Sequence, residues 1–300
     1  MGKASRRARQ AERRSGSQAP VAAPFVPRPF EGLPGETDLV AMREIVPSAT
    51  ATWRLRPDAA PLADLTDVPE HVTVATILPL AWPGLHRADG ERLVGLQSGT
   101  TSGDLSRDVT QVLLTLLQVE PGTPVRPTTQ AVRDTPRLQD VLDLDAPLDV
   151  TVHDTFDFWV GGGALDAEGQ ASLEQANASI IPTVKLESVD SAYWCRVGGR
   201  THLRWILPQD ETSATDALAR LKAAGAESLG EGTKLLGAFR ACGLLAPVWD
   251  LDPALEADAY EDAAAAVAQR FTEALGQDAP LSDAERRARA GLLSRQLTLR

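Results

Sequence analysis

Cys195 and His202 are the pair of residues whose types most directly suggest chemistry. They flank Gly198-Gly199, and a two-residue turn there pairs Val197 with Arg200, Cys195 with His202 and Tyr193 with Arg204. A thiol directly opposite an imidazole has the makings of a nucleophile and its base. No third residue orients the imidazole and no oxyanion donor can be assigned, so no residue is given a catalytic role. The same face gathers Tyr193, Arg200, His202 and Arg204, and tyrosine and arginine together are favoured interface anchors. We read it as a partner-binding surface. The opposite face, with Trp194, Leu203, Trp205 and Leu207, is expected to pack into a core.

Two other constellations lose their appeal on geometry. His153, Asp154 and Asp157 beside Asp149 look like metal ligands. In an extended strand, however, His153 and Asp157 lie about 13 Å apart and Asp154 points to the other face. The run Gly230-Glu231-Gly232-Thr233-Lys234 lacks the spacing of a phosphate-binding loop, and no dinucleotide fingerprint follows a strand. No metal and no cofactor is therefore expected.

Charge is unevenly placed. The formal net charge is -11, yet residues 1–30 carry seven basic side chains against one acid, Glu12, which leaves the remainder strongly acidic. Lys3, Arg6, Arg7, Arg9, Arg13 and Arg14 form a polyanion-binding tail in this reading, able to attract RNA or another anionic surface non-specifically. Two cysteines, Cys195 and Cys242, make neither a disulfide framework nor a zinc knuckle, which favours a reducing, cytoplasmic setting. No apolar run reaches the roughly 18 residues of a membrane helix.

The elements that must position these residues read as an α+β protein of two lobes. Residues 1–34, basic and then proline-rich, are expected to be a disordered tail, with Phe25 and Phe30 available to dock on a groove. The first lobe and its linker, 35–146, contain a helix at 37–46, a strand at 72–77, a hairpin around Asp89-Gly90 and a helix whose stripe is Val109, Val112, Leu113, Leu116 and Leu117. The second lobe, 147–252, has a strand at 149–160, a helix at 168–179, a strand at 183–188, the hairpin 193–207 and a helix bearing Ala214, Ala217, Leu218 and Leu221. Each lobe thus carries a strand-hairpin-helix unit, which suggests an internal duplication. Leu235, Leu236, Phe239 and Cys242 suggest one more helix, stopped by Gly243, before a strand at 244–251. Residues 253–300 close the chain with two helices, the second opened by a Ser282-Asp283-Ala284-Glu285 capping box.

Phe30-Glu31-Gly32-Leu33-Pro34-Gly35-Glu36, Val152-His153-Asp154, Phe156-Asp157-Phe158-Trp159, Tyr193-Trp194-Cys195-Arg196-Val197 and Gly230-Glu231-Gly232-Thr233 resemble an uncharacterised actinobacterial family, a domain of unknown function. Members of that family sometimes carry the automatic names preprotein translocase SecA or topoisomerase. The missing nucleotide-binding motif argues against both motors. The resemblance implies no activity and no catalytic residues. The reading is a non-enzymatic interaction or adaptor protein engaging an unidentified protein partner. The alternative is a small-molecule enzyme with a cleft between its lobes, using Cys195, His202 or Asp154.

Overall fold

The computed structural model describes residues 20–97, 99, 102–163 and 165–294. The six tail cations lie outside the described residues. The chain is α+β, built on two sheets with a helical C-terminus.

The first sheet contains β1 (Ala49–Arg54), β2 (His71–Ala75), β3 (Gly84–His86), β4 (Arg92–Gly95), β5 (Thr123–Val125) and β6 (Thr151–Val152), in the order β5-β3-β4-β2-β1-β6. Only β2 and β4 run parallel. One face presents Ala51, Trp53, Val72, Val74 and Val94 to α1 (Glu36–Glu44) and α2 (Leu105–Leu116). All five residues of the expected stripe, Val109 to Leu117, are buried there. A short α3 (Leu138–Val141) joins this core. The other face is polar along β1 and β2, where Thr52, Arg54, His71 and Thr73 alternate with core residues. Towards β3 it becomes apolar, and Leu78, Leu85 and Leu93 are capped by Trp82, Phe158 and Trp159.

The second sheet contains β7 (Thr183–Lys185), β8 (Ala192–Val197), β9 (Arg200–Trp205), β10 (Lys234–Ala241) and β11 (Leu244–Leu251), antiparallel throughout in the order β10-β11-β9-β8-β7. After α4 (Ala167–Ala178), the helices α5 (Glu211–Ala224), α6 (Glu261–Leu275) and α7 (Asp283–Ser294) form the helical side of this half. Residues of α5, α6 and α7 bury Trp194, Leu203, Trp205 and Trp249. The capping box is present at α7, where the Ser282 N–H donates to Glu285 at 2.6 Å. The sheet's other face sends Tyr193, Phe239, Ala241 and Val248 into the core of the first sheet, so one hydrophobic cluster spans both.

Four expectations need correction. The strand-hairpin-helix units exist, but they are wired differently: the returning β4 lies beside β2 and parallel to it, whereas the outgoing β8 lies beside β7 and antiparallel. The link from β2 passes through a turn at Pro79–Ala81, with Leu80 and Ala81 both at positive φ, and delivers β3 one strand further out. Different strand order excludes superposition of the two units, and with it the duplication.

The expected tail boundary also moves. Residues 20–34 are packed: Phe30 is fully buried, Ala22 bridges to Val132, and Arg28 grips Glu36 through two bonds of 2.5 and 2.8 Å. Phe25 remains exposed. Residues 234–241 form β10 rather than a helix, paired to β11 through a tight Cys242-Gly243 turn with φ of 44° and 81°. At Gly243 a Cβ would lie 2.5 Å from the Pro27 carbonyl oxygen, so the N-terminal segment crosses directly over this turn. Finally, the strand expected over 149–160 is reduced to β6. The aromatic run behind it folds into a 3₁₀ turn, Asp157–Trp159, whose Trp159 indole donates to the Ile77 carbonyl at 3.0 Å.

Candidate functional site

The β8–β9 hairpin has the register its Gly198-Gly199 turn dictates, with Val197 opposite Arg200, Cys195 opposite His202 and Tyr193 opposite Arg204. The neighbouring registers extend these pairs into rows across the sheet. Lys234, Asp250, His202, Cys195 and Thr183 make one row, and Val248, Arg204, Tyr193 and Lys185 make the next. Alternation places both rows on the face away from α5 and α6.

The second row is covered by α1. Gly35 precedes the helix at φ 60°, where a Cβ would sit 2.7 Å from Leu148. The helix then lays Asp38, only 7% exposed, against β7 and β8. Asp38 Oδ1 accepts from the Tyr193 hydroxyl at 2.7 Å and from Ser191 at 2.6 Å, while Oδ2 meets Lys185 Nζ at 2.6 Å. The Ser191 oxygen also lies 2.7 Å from the Thr37 hydroxyl, which can donate to it. Burial, together with the Asp38 charge, drives the Tyr193 phenol far above its ordinary pKa of 10.0. Tyr193 is therefore an interior anchor, 1% exposed, and not the surface contact expected of it. The polar character of its face is satisfied by a helix some 155 positions earlier in the chain.

The cysteine and histidine are opposed, as their register requires, but the surroundings favour their uncharged forms. Cys195 is 1% exposed; burial pushes its thiol up, against a weaker opposing effect of Arg204. Burial likewise holds His202 below 6.5, although Asp250 at 3.5 Å pulls the other way. A neutral thiol facing a neutral imidazole lacks the activation that nucleophilic catalysis needs. Asp154, the remaining enzyme candidate, lies exposed in the loop after β6 of the other sheet. Its neighbour His153 sits 2.7 Å from the Thr50 hydroxyl, a contact between β1 and the segment after β6. Among the described residues no group of three or more His, Cys, Asp and Glu side chains is arranged to hold a metal ion.

The accessible end of the face belongs to Arg200, His202 and Arg204. Arg200 is exposed and Arg204 half-buried, and neither guanidinium makes a hydrogen bond or ion pair with a described residue. Three alternate residues of one strand put these side chains about 7 Å apart, roughly 13 Å from first to last. Asp250 is the acid opposed to His202 in the neighbouring strand.

A second concave surface runs from the polar face of β1 and β2 round the starts of β2 and β4 to the loops 64–67 and 117–121, and had no counterpart in the sequence reading. Three open depressions of about 600, 270 and 390 Å³ run together, the first two sharing Gly90 and Arg92 and the last two sharing Thr52 and His71. Asp38, Lys185 and Ser191 were equally illegible, since each is a common surface residue type until the fold brings them together. Residues 29–300 match a protein family described as a family of unknown function, DUF5926. No curated protein and no solved structure matches the chain.

Proposed function

We propose that this chain, which belongs to the DUF5926 family of unknown function, is a cytoplasmic binding protein that captures an acidic segment of a partner protein on the Arg200, His202 and Arg204 face. The observation that carries the reading is a pair of arginines, their guanidinium groups without a hydrogen-bond or ion-pair partner among the described residues, flanking a histidine on one strand of a protein whose formal charge is -11. Guanidinium groups offer paired donors to carboxylate or phosphate. Their spacing along β9 suits an extended peptide with acids at alternate positions. Tyr193 takes no part in this contact, because it is committed to Asp38. No helix among the described residues is long and apolar enough to cross a membrane, which agrees with the reading.

An array of extended peptides with acidic or phosphorylated residues at alternate positions tests it. Binding should fall at least tenfold in the Arg200→Glu/Arg204→Glu variant, equivalent to about 1.4 kcal/mol or more. Equal binding by the variant, or no binding to any peptide of the array, refutes the assignment.

A further inference from the structure

The trough over the first sheet has a charge and a position that name an occupant. Its walls bring together Asp64, Asp67, Glu91, Glu120, Asp143 and Asp145, against Arg54 and Arg92. Arg54 is already engaged by Glu70 at 3.1 Å and Asp143 at 3.6 Å. One end of the trough is formed by Leu117–Glu120, immediately beyond α2, where the carbonyl end of the helix dipole adds to the negative potential. From β4 across β2 to β1 the trough spans about 10 Å at ordinary strand spacing, the length of some three extended residues.

The chain itself carries a matching ligand. Residues 1–19 hold Lys3, Arg6, Arg7, Arg9, Arg13 and Arg14, offset only by Glu12. They join the described chain where Arg133 N–H donates to the Val21 carbonyl and Val26 N–H to the Gly103 carbonyl, beside the N-terminus of α2. The trough begins at the other end of that helix, about 18 Å away. Arg14 lies six positions before Pro20 and Lys3 seventeen, reaches of about 20 and 58 Å for extended chain. The tether is long enough, and it places the cations at high effective concentration over the trough.

We propose that the basic segment 3–14 docks in this trough, and that its docking competes with the binding of external polyanions. The attraction is electrostatic and so is its regulation: a polyanion or high salt releases the segment, and neutralising the trough frees it for polyanions. This proposal does not depend on the Arg200 face.

Carbodiimide cross-linking of the full chain tests it, because Lys3 is the one lysine of the segment and the others, Lys185, Lys222 and Lys234, lie in the folded body. The Lys222–Glu227 pair, 3.4 Å apart, supplies an internal control for native structure. Intramolecular links from Lys3 to Asp64, Asp67 or Glu120 are expected. They should disappear in about 1 M salt, where the screening length falls to about 3 Å, and in the Asp64→Asn/Asp67→Asn/Glu120→Gln variant. Those three side chains are exposed, so the variant retains its core and its control cross-link. Heparin should displace the links from the unmodified chain and bind the variant at least threefold more tightly at low salt. Lys3 links scattered over the acids of α6 and α7, links only between molecules, no links at all, or unchanged heparin affinity in the variant each overturn the proposal.

Discussion

Replacing Tyr193 by phenylalanine removes one hydroxyl and nothing else from a site with 1% exposure, so its cost isolates the clasp between α1 and the second sheet. The lost bond, 2.7 Å to a buried carboxylate, belongs to the charge-assisted class, worth about 1.5–3 kcal/mol. Asp38 Oδ1 keeps Ser191 as a donor, which places the expected loss near the lower end, about 1.5–2 kcal/mol. Asp38→Asn does more damage: it leaves Lys185 facing an amide, and breaking a buried pair costs about 3–5 kcal/mol. Lys185 is 27% exposed and can recover some hydration, so about 3 kcal/mol is expected. In the Asp38→Asn background, Tyr193→Phe should cost at least about 1 kcal/mol less than it does alone, since the two groups share one bond. Urea unfolding followed by tryptophan emission measures all three variants. A Tyr193→Phe cost below about 0.5 kcal/mol, or strict additivity in the double variant, would show that the clasp carries no such energy.

The remaining predictions concern thiols, protons and one turn. Both cysteines should react slowly with thiol reagents in the folded protein, because burial raises Cys195 and, with Glu44 nearby, pushes Cys242 up to about 12; rapid labelling near neutral pH would contradict this. His153 and His202 are both held below 6.5 by burial, so as pH falls through that value the unfolded chain takes up protons that the folded chain refuses, and stability declines. The melting temperature should therefore drop on acidification, and the His153→Gln/His202→Gln variant should show a shallower drop. An acidic ligand on the Arg200 face reverses the effect locally: its affinity should rise as His202 protonates, and His202→Gln should abolish that rise in a titration series. Gly243→Ala meets both a positive φ of 81° and the Pro27 carbonyl, and a loss of about 1–3 kcal/mol is expected in denaturant unfolding.

What could be read from the sequence divides along physical lines. The β8–β9 register was legible because a diglycine turn and period-two alternation fix it locally. The α2 stripe was legible because that helix buries a single face. By contrast, β10 looked helical because residues on both of its faces touch a core and an irregularity between Leu235 and Gly237 shifts the alternation, so apolar residues fall at mixed spacing. Strand β1 was missed because its alternation is written in alanine and threonine, with Trp53 its one large apolar residue. Phe156, Phe158 and Trp159 imitated strand alternation, while Phe158 and Trp159 cap Leu78, Leu85 and Leu93 and Phe156 stacks on Trp159. The register that sets Arg200, His202 and Arg204 on one face was legible, but the fate of Tyr193 depended on a carboxylate from a distant helix, and no local pattern announces such a contact.

The crossing of Pro27 over the Gly243 turn bears on how the chain is made. Residues near 27 leave the ribosome more than 200 positions before their seat exists, a delay of about 10–40 s at ordinary rates of synthesis. The shared core waits equally long, since Phe239, Ala241 and Val248 complete it. During that interval Phe30 and Leu33 have only part of their eventual packing, and the nascent chain exposes apolar surface beside its basic beginning. The first sheet therefore gains its full packing only when the last hairpin, β10 and β11, has emerged.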